Sequence, residues 1–179
     1  ISLYGSFAYI VADQGLITLN IDNPLKPVVT SVIQLAGMRS FATQFRYLFY
    51  TSETGLGVVD ITDPSQPVLL KDSAVVLGDA RKLYLARTYA YVAAGQDGLA
   101  IVNIEKPEAP VLDQMFDGGG QLKDTSDIVI GTTNASLFGY VADGEFGFKL
   151  LQLTSPSSQP NFYGYSPQPK PEVIGWMPS

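Results

Sequence analysis

The sequence predicts an all-β fold, a β-propeller built from four-stranded antiparallel blades, and three observations carry that prediction. First, a proline follows a glycine by nine positions four times: Gly15 and Pro24, Gly55 and Pro64, Gly98 and Pro107, Gly147 and Pro156. Second, the text around each pair repeats, as FAYIVADQGLITLNIDNPLKP, YLFYTSETGLGVVDITDPSQP, YAYVAAGQDGLAIVNIEKPEAP and FGYVADGEFGFKLLQLTSP. The glycines recur at intervals of 40, 43 and 49 residues, so one supersecondary unit stacks on copies of itself. Third, the strand after each glycine is apolar on both faces. Its columns read Leu16, Leu56, Leu99, Phe148 and Thr18, Val58, Ile101, Leu150 on one face, then Leu19, Val59, Val102, Leu151 and Ile21, Ile61, Ile104, Leu153 on the other. A strand greasy on both sides must be covered on both sides, which radial stacking of blades achieves.

The third repeat shows the elements in order. Residues 82–86 form a short alternating run, Arg87-Thr88 a tight connection, and 89–94 the next strand. Gly95-Gln96-Asp97-Gly98 supplies hairpin chemistry, with Asp-Gly expected to take the positive φ of a primed turn. A third strand over 99–104 runs into a proline-bracketed turn that cannot continue a ladder, and 111–116 completes the blade. By register, 39–45 and 127–132 lead the second and fourth blades, and 28–35, 68–72 and 172–177 are outer strands. The blades span approximately 1–35, 39–72, 80–117 and 127–177. Helix is the weaker reading, because Gly or Pro interrupts every run and no long 3.6-residue period appears.

Four blades either close on themselves or leave two bare apolar faces that further blades must cover. The regularity of the repeat favours a larger ring of six to eight blades. The chain opens abruptly at Ile1-Ser2-Leu3-Tyr4 and stops at Trp176-Met177-Pro178-Ser179, so it reads as a piece of a longer polypeptide, with any export signal or anchor outside these residues.

Composition bounds the chemistry. Of 179 residues, 46% are hydrophobic and 16% charged, which supports one packed domain. A net charge of −6 without a basic run argues against nucleic acid or an anionic membrane as partner, and no apolar stretch is long enough to span a bilayer. The chain has no Cys and no His. Disulfides, thiolate chemistry, covalent haem and imidazole ligation are therefore absent, and any reaction would rest on carboxylates, Tyr, Lys or an oxygen-bound ion.

The words TLNI (residues 18–21), VVDI (58–61) and IVNI (101–104), each after Gly-Leu or Asp-Gly-Leu and before a proline turn, resemble the LVIVD repeat. That resemblance implies a β-propeller in a secreted or cell-surface protein of bacteria or archaea, and it implies no catalytic motif. The fourth copy departs from the pattern. There LLQL replaces the repeat word, Lys149 stands in the column of Ile17, Gly57 and Ala100, and Gln152 replaces an acidic or amide residue.

Several residues invite a functional reading beside a plainer one. Asp13, Glu53, Asp97 and Asp143 or Glu145 occupy equivalent hairpins and would gather at one end of the ring, as a calcium site or as water-facing turn formers. Asn20, Asp60, Asn103 and Gln152 precede the proline turns and are expected to cap them. Asp117, Asp124 and Asp127, around the connector Gly118-Gly119-Gly120, are the candidate metal ligands, with calcium the candidate ion. An insert over 157–170 carries Phe162, Tyr163 and Tyr165, expected either to bind a partner or to cover a blade edge. Asn134-Ala135-Ser136 fits a glycosylation acceptor.

The functional expectation is a non-catalytic scaffold or protein-interaction module of a larger exported or cell-surface protein. It has no cofactor of its own, and its partner is another protein or the remaining blades. The alternatives are a carboxylate- and calcium-dependent propeller enzyme, hydrolase or lyase, and an architectural subunit packed on a surface redox protein.

Overall fold

A computed structural model describes residues 1–133, 135–157 and 165–178. Sixteen strands form four four-stranded antiparallel sheets, each made from consecutive strands. Blade 1 comprises β1 (Ser2–Tyr4), β2 (Phe7–Ala12), β3 (Gly15–Asn20) and β4 (Val28–Gln34). Blade 2 comprises β5 (Ser40–Gln44), β6 (Tyr47–Ser52), β7 (Gly55–Asp60) and β8 (Val68–Val76). Blade 3 comprises β9 (Leu83–Ala86), β10 (Tyr89–Ala93), β11 (Leu99–Asn103) and β12 (Val111–Phe116). Blade 4 comprises β13 (Asp127–Thr133), β14 (Ser136–Ala142), β15 (Phe148–Thr154) and β16 (Glu172–Met177). The expected propeller blades are present, and the inner strands β1, β5, β9 and β13 touch in succession.

The repeated glycine has a steric cause. Gly15, Gly55, Gly98 and Gly147 all have positive φ, and at Gly55, with φ 131°, a β-carbon would run into the carbonyl of Val75 on the outer strand. The Asp-Gly hairpin of blade 3 differs from expectation. Positive φ falls on Gly95 and Gly98 and not on Asp97, whose N–H donates to the Ala94 carbonyl at 3.1 Å. An ordinary turn closed by glycine therefore replaces the primed one.

Asx capping accounts for the polar residue before the first three proline turns. Asn20, Asp60 and Asn103 accept the N–H of Asp22, Thr62 and Glu105 at 2.9, 2.7 and 2.9 Å. Another device recurs in all four sheets without a cue in the text. Register shifts between the third and outer strands at Thr18/Leu19, Leu56/Val58, Ile101/Val102 and Leu150/Leu151, a bulge that adds local twist.

The core lies between blades. Tyr9 and Leu16 of blade 1 pack with Leu48, Val59 and Ile61 of blade 2. Phe49, Leu56 and Val58 of blade 2 pack with Ala90, Val92 and Val102 of blade 3. Tyr91, Leu99 and Ile101 of blade 3 pack with Ile128, Val141 and Leu151 of blade 4. Among the described residues no apolar cluster joins blade 4 to blade 1. The four sheets thus form an open arc, and coverage on both sides holds for blades 2 and 3 alone. Strand β7 is buried over Gly55–Val59 on both faces, whereas β15 alternates half-buried and buried residues.

Candidate functional site

Two kinds of surface stand out: a charged network at one end of the arc, and the uncovered sheet faces that terminate it.

The network sits where the chain enters each inner strand. Arg39 precedes β5 and Arg81 precedes β9; both donate a backbone N–H to the middle strand of their own blade, Arg39 to Thr51 at 2.9 Å and Arg81 to Ala93 at 2.8 Å. That shared position aims both guanidinium groups at the same end of the arc. Arg39 reaches Asp79 at 2.5 Å and Glu53 at 3.6 Å. Arg81 reaches Asp79 at 2.8 Å and Asp124 at 2.7 Å. Charges therefore alternate from Glu53 through Arg39, Asp79 and Arg81 to Asp124, crossing blades 2, 3 and 4. The Arg81 hydrogen bond, with Arg39 adding, holds the Asp79 carboxyl below its usual range, and Asp79 in turn raises Arg81.

Beneath the network, Thr125 stitches blade 4 to blade 3. Its backbone exchanges hydrogen bonds with Gly95 at 3.1 and 2.9 Å. Its buried hydroxyl accepts from the Ala94 N–H at 3.1 Å and donates to the Gly98 carbonyl. Thr51 makes an analogous tie from blade 2, donating to the Arg81 carbonyl.

The structure does not assemble the three candidate metal ligands. Asp117 accepts the Gly119 N–H at 2.9 Å, Asp124 pairs with Arg81, and Asp127 accepts the Ile128 N–H at 2.8 Å. Among the described residues no group of three or more acidic side chains is arranged around a metal position. The hairpin acids part company as well. Glu53 is the exposed end of the network, and Asp143 is fully buried, where its Oδ1 accepts the N–H groups of Lys123 and Asp124 at 2.9 and 2.8 Å. Asp143 thus shapes the connector that leads into blade 4.

Lys149, the odd residue of the fourth repeat, is also buried. It donates to the Phe146 carbonyl at 2.8 Å, lies 3.7 Å from Asp143 Oδ2, and sits 6.0 Å from the Trp176 ring centre. With Gly120, Gln121, Lys123, Phe146 and Trp176 it lines a shallow cleft of about 300 Å³.

Of the insert, Phe162 and Tyr163 lie outside the described residues, as does the candidate glycosylation position Asn134. Tyr165 is exposed. The leg that follows is fastened across blade 3: Ser166 Oγ lies 2.6 Å from Thr88 Oγ1, Gln168 donates to Asp113 at 2.8 Å, and Gln114 donates to the Pro169 carbonyl at 3.0 Å. Pro167 and Pro169 are buried. This leg covers a blade edge within the molecule, one of the two roles the insert suggested.

The end faces follow one column of the repeat. Tyr9, Phe49, Tyr91 and Tyr140 occupy the same place on the second strand, on the side facing the next blade. The first three are at most 1% exposed, while Tyr140 is 42% exposed. Around Tyr140 stand Val129, Phe148 and Leu150, with the Tyr140 and Phe148 rings stacked at 6.2 Å. Blade 1 shows the converse: Leu3, Ile17, Leu19, Val29 and Val32 lie on the side that would face a preceding blade. Leu3 is 67% and Val29 56% exposed, whereas Val59 and Val102, in the column of Leu19, are fully buried.

Sequence reasoning anticipated bare faces at the ends of an incomplete ring and missed the charged network and Thr125. A cue for the network existed, because Arg39 and Arg81 stand one repeat apart. Thr125 gave none, since its role depends on where blade 3 places its hairpin.

Among solved structures, the computationally designed Ika8 protein matches with a TM-score of 0.56 and 12% identity, over 83% of this chain and 43% of that one. At that identity the likeness is one of fold, and the chain spans less than half of the solved protein. No curated protein matches the sequence. A family model described as the LVIVD repeat matches residues 1–33, 47–73 and 77–117. It stops before blade 4, where the repeat word is altered, although the sheet formed there has the same order and pairing. With that match covering more than half of its length in three successive copies, the chain belongs to the LVIVD repeat family.

Proposed function

We propose that this chain is a non-catalytic propeller module of a larger exported or cell-surface protein, a scaffold that joins other protein surface through its uncovered sheet faces. The carrying observation is the column Tyr9, Phe49, Tyr91 and Tyr140, in which the last aromatic alone lacks the cover given to the others. Each apolar side chain of this size is worth about 1.5–3 kcal/mol when buried, so a face of several is strongly driven to find a partner. The charged network supports a structural part for the polar end. Its guanidinium and carboxylate groups neutralise one another, and Asp79 is held below its usual range, away from the neutral pKa a general acid or base uses.

The test uses the absence of native cysteine. Val29→Cys and Val129→Cys place a thiol on each end face, and Leu25→Cys, at a 90% exposed position, serves as control. Labelling with a membrane-impermeant maleimide is followed on intact cells carrying the native protein. Rapid labelling of the control with at least tenfold slower labelling of both face positions is expected. Face thiols reacting as fast as the control would refute the scaffold reading, and a control that labels only after lysis would refute export.

A further inference from the structure

We propose that the bare face of blade 4 is covered by the bare face of blade 1 in a second copy of this chain, two copies closing head to tail through two identical joints. This deepens the assembly reading above and rests on it.

The two faces are the two halves of a joint the molecule already makes three times. In each internal joint the leading side presents an aromatic from the second strand together with the residues in the columns of Leu56 and Val58, and the following side presents the columns of Val59 and Ile61. Blade 4 ends on a leading side whose aromatic is Tyr140 and whose column residues are Phe148 and Leu150. Blade 1 begins on a following side, with Leu19 and Ile21 in the matching columns. Each end of the arc is therefore the missing complement of the other end.

Size and charge agree with that pairing. Of the three blades that receive a leading aromatic, blades 3 and 4 carry a small residue, Ala90 and Gly139, where blade 2 carries Leu48, and blade 1 carries the small Ala8 in the same column. The following face of blade 1 carries Leu3, Ile10, Ile17, Leu19, Val29 and Val32, so no charge opposes the approach of Tyr140 and Phe148. Pairing like with like, Tyr140 against Tyr140 or Val29 against Val29, has no counterpart among the three internal joints. The matched 83% of this chain corresponds to 43% of the solved designed chain, so two whole arcs come close to that chain's length. A heterologous contact used twice by two copies closes a ring and leaves no apolar face in water.

Sedimentation of the chain at micromolar concentration tests this. The expected mass is twice the 19.3 kDa of one copy. Val29→Glu spoils the following face and Val129→Glu the leading face, at positions 56% and 52% exposed, and each variant alone should sediment as a monomer. Mixed in equal amounts they should form a dimer again through one joint, the intact leading face of Val29→Glu on the intact following face of Val129→Glu. Circular dichroism and a cooperative melt verify folding, and Val32→Lys replaces Val29→Glu if that variant does not fold. A wild-type monomer, an open polymer, a dimer surviving in either variant alone, or a mixture that stays monomeric would each overturn the proposal. Face thiols protected on cells while the isolated chain is monomeric would sink the second copy and leave the scaffold reading standing; unprotected thiols would sink both.

Discussion

Tyr91 and Tyr140 are the same amino acid in the same strand position of neighbouring blades, and they live in different solvents. Tyr91 is fully buried between blades 3 and 4, and burial raises its phenol far enough to keep it neutral. Tyr140 lies over Gly131 on the outer side of blade 4 with 42% of its surface exposed. Nothing in the local text separates the two, since both follow an aromatic and a small residue and precede Val. A propeller blade is therefore not an independent unit of stability: its leading face is stabilised by whatever comes next. The two middle blades own both neighbours, and the two end blades own one each.

The largest expected effect tests that contrast directly. Tyr91→Ala should cost about 3–5 kcal/mol in urea denaturation, and Tyr140→Ala about 1 kcal/mol or less at protein concentrations dilute enough to keep copies apart. Equal losses would break the comparison, and a Tyr140→Ala loss that grows with protein concentration would sharpen it by showing that another copy supplies the missing cover.

A middle-sized effect belongs to the polar stitch between blades 3 and 4. Thr125→Val keeps the shape and removes the hydroxyl that bridges the two blades; the Ala94 N–H and the Gly98 carbonyl keep their bond to each other at 2.8 Å, so the cost should be that of a lost hydrogen bond, about 0.5–1.5 kcal/mol. Hydrogen exchange should report faster opening at Ala94 and Gly95, with blade 2 unaffected; a loss spread evenly over all blades would mean the joint is not a local unit.

The smallest effect concerns the partly exposed charges. Asp79 has a folded pKa below its unfolded value, so its contribution is present above the unfolded pKa, near 4, and fades as pH falls through the lower folded value. Asp79→Asn should cost at most about 1 kcal/mol at pH 7, less in high salt, and the gap to wild type should close in acid. Melting curves at pH 7 and pH 3 check this, and a gap that widens in acid would show the sign to be wrong.

Much of the fold was legible because the repeat makes its own alignment. The glycine column, the proline turns and the two apolar faces of the third strand are local constraints, and each copy confirms the others. Boundaries slipped where pairing partners set them: β8 runs on to Val76, beyond the expected end at residue 72, because Leu56 and Gly55 offer it a continuing ladder. The site was less legible. Asp117, Asp124 and Asp127 are close in sequence, yet they were drawn apart by a glycine loop, an arginine and a strand start respectively. Tyr165 and its neighbours offered two roles in the sequence, partner binding or cover for a blade edge, and the leg after Tyr165 fastens blade 4 to blade 3.

The amino-acid order alone determined the sheets, their strand order and the need for cover on both sides, because alternation, turn sterics and glycine's freedom act within a single repeat. Which faces actually receive that cover was settled by the tertiary arrangement. Burial depends on the neighbouring blade, and a column that reads alike in four copies is dry in three and wet in the last.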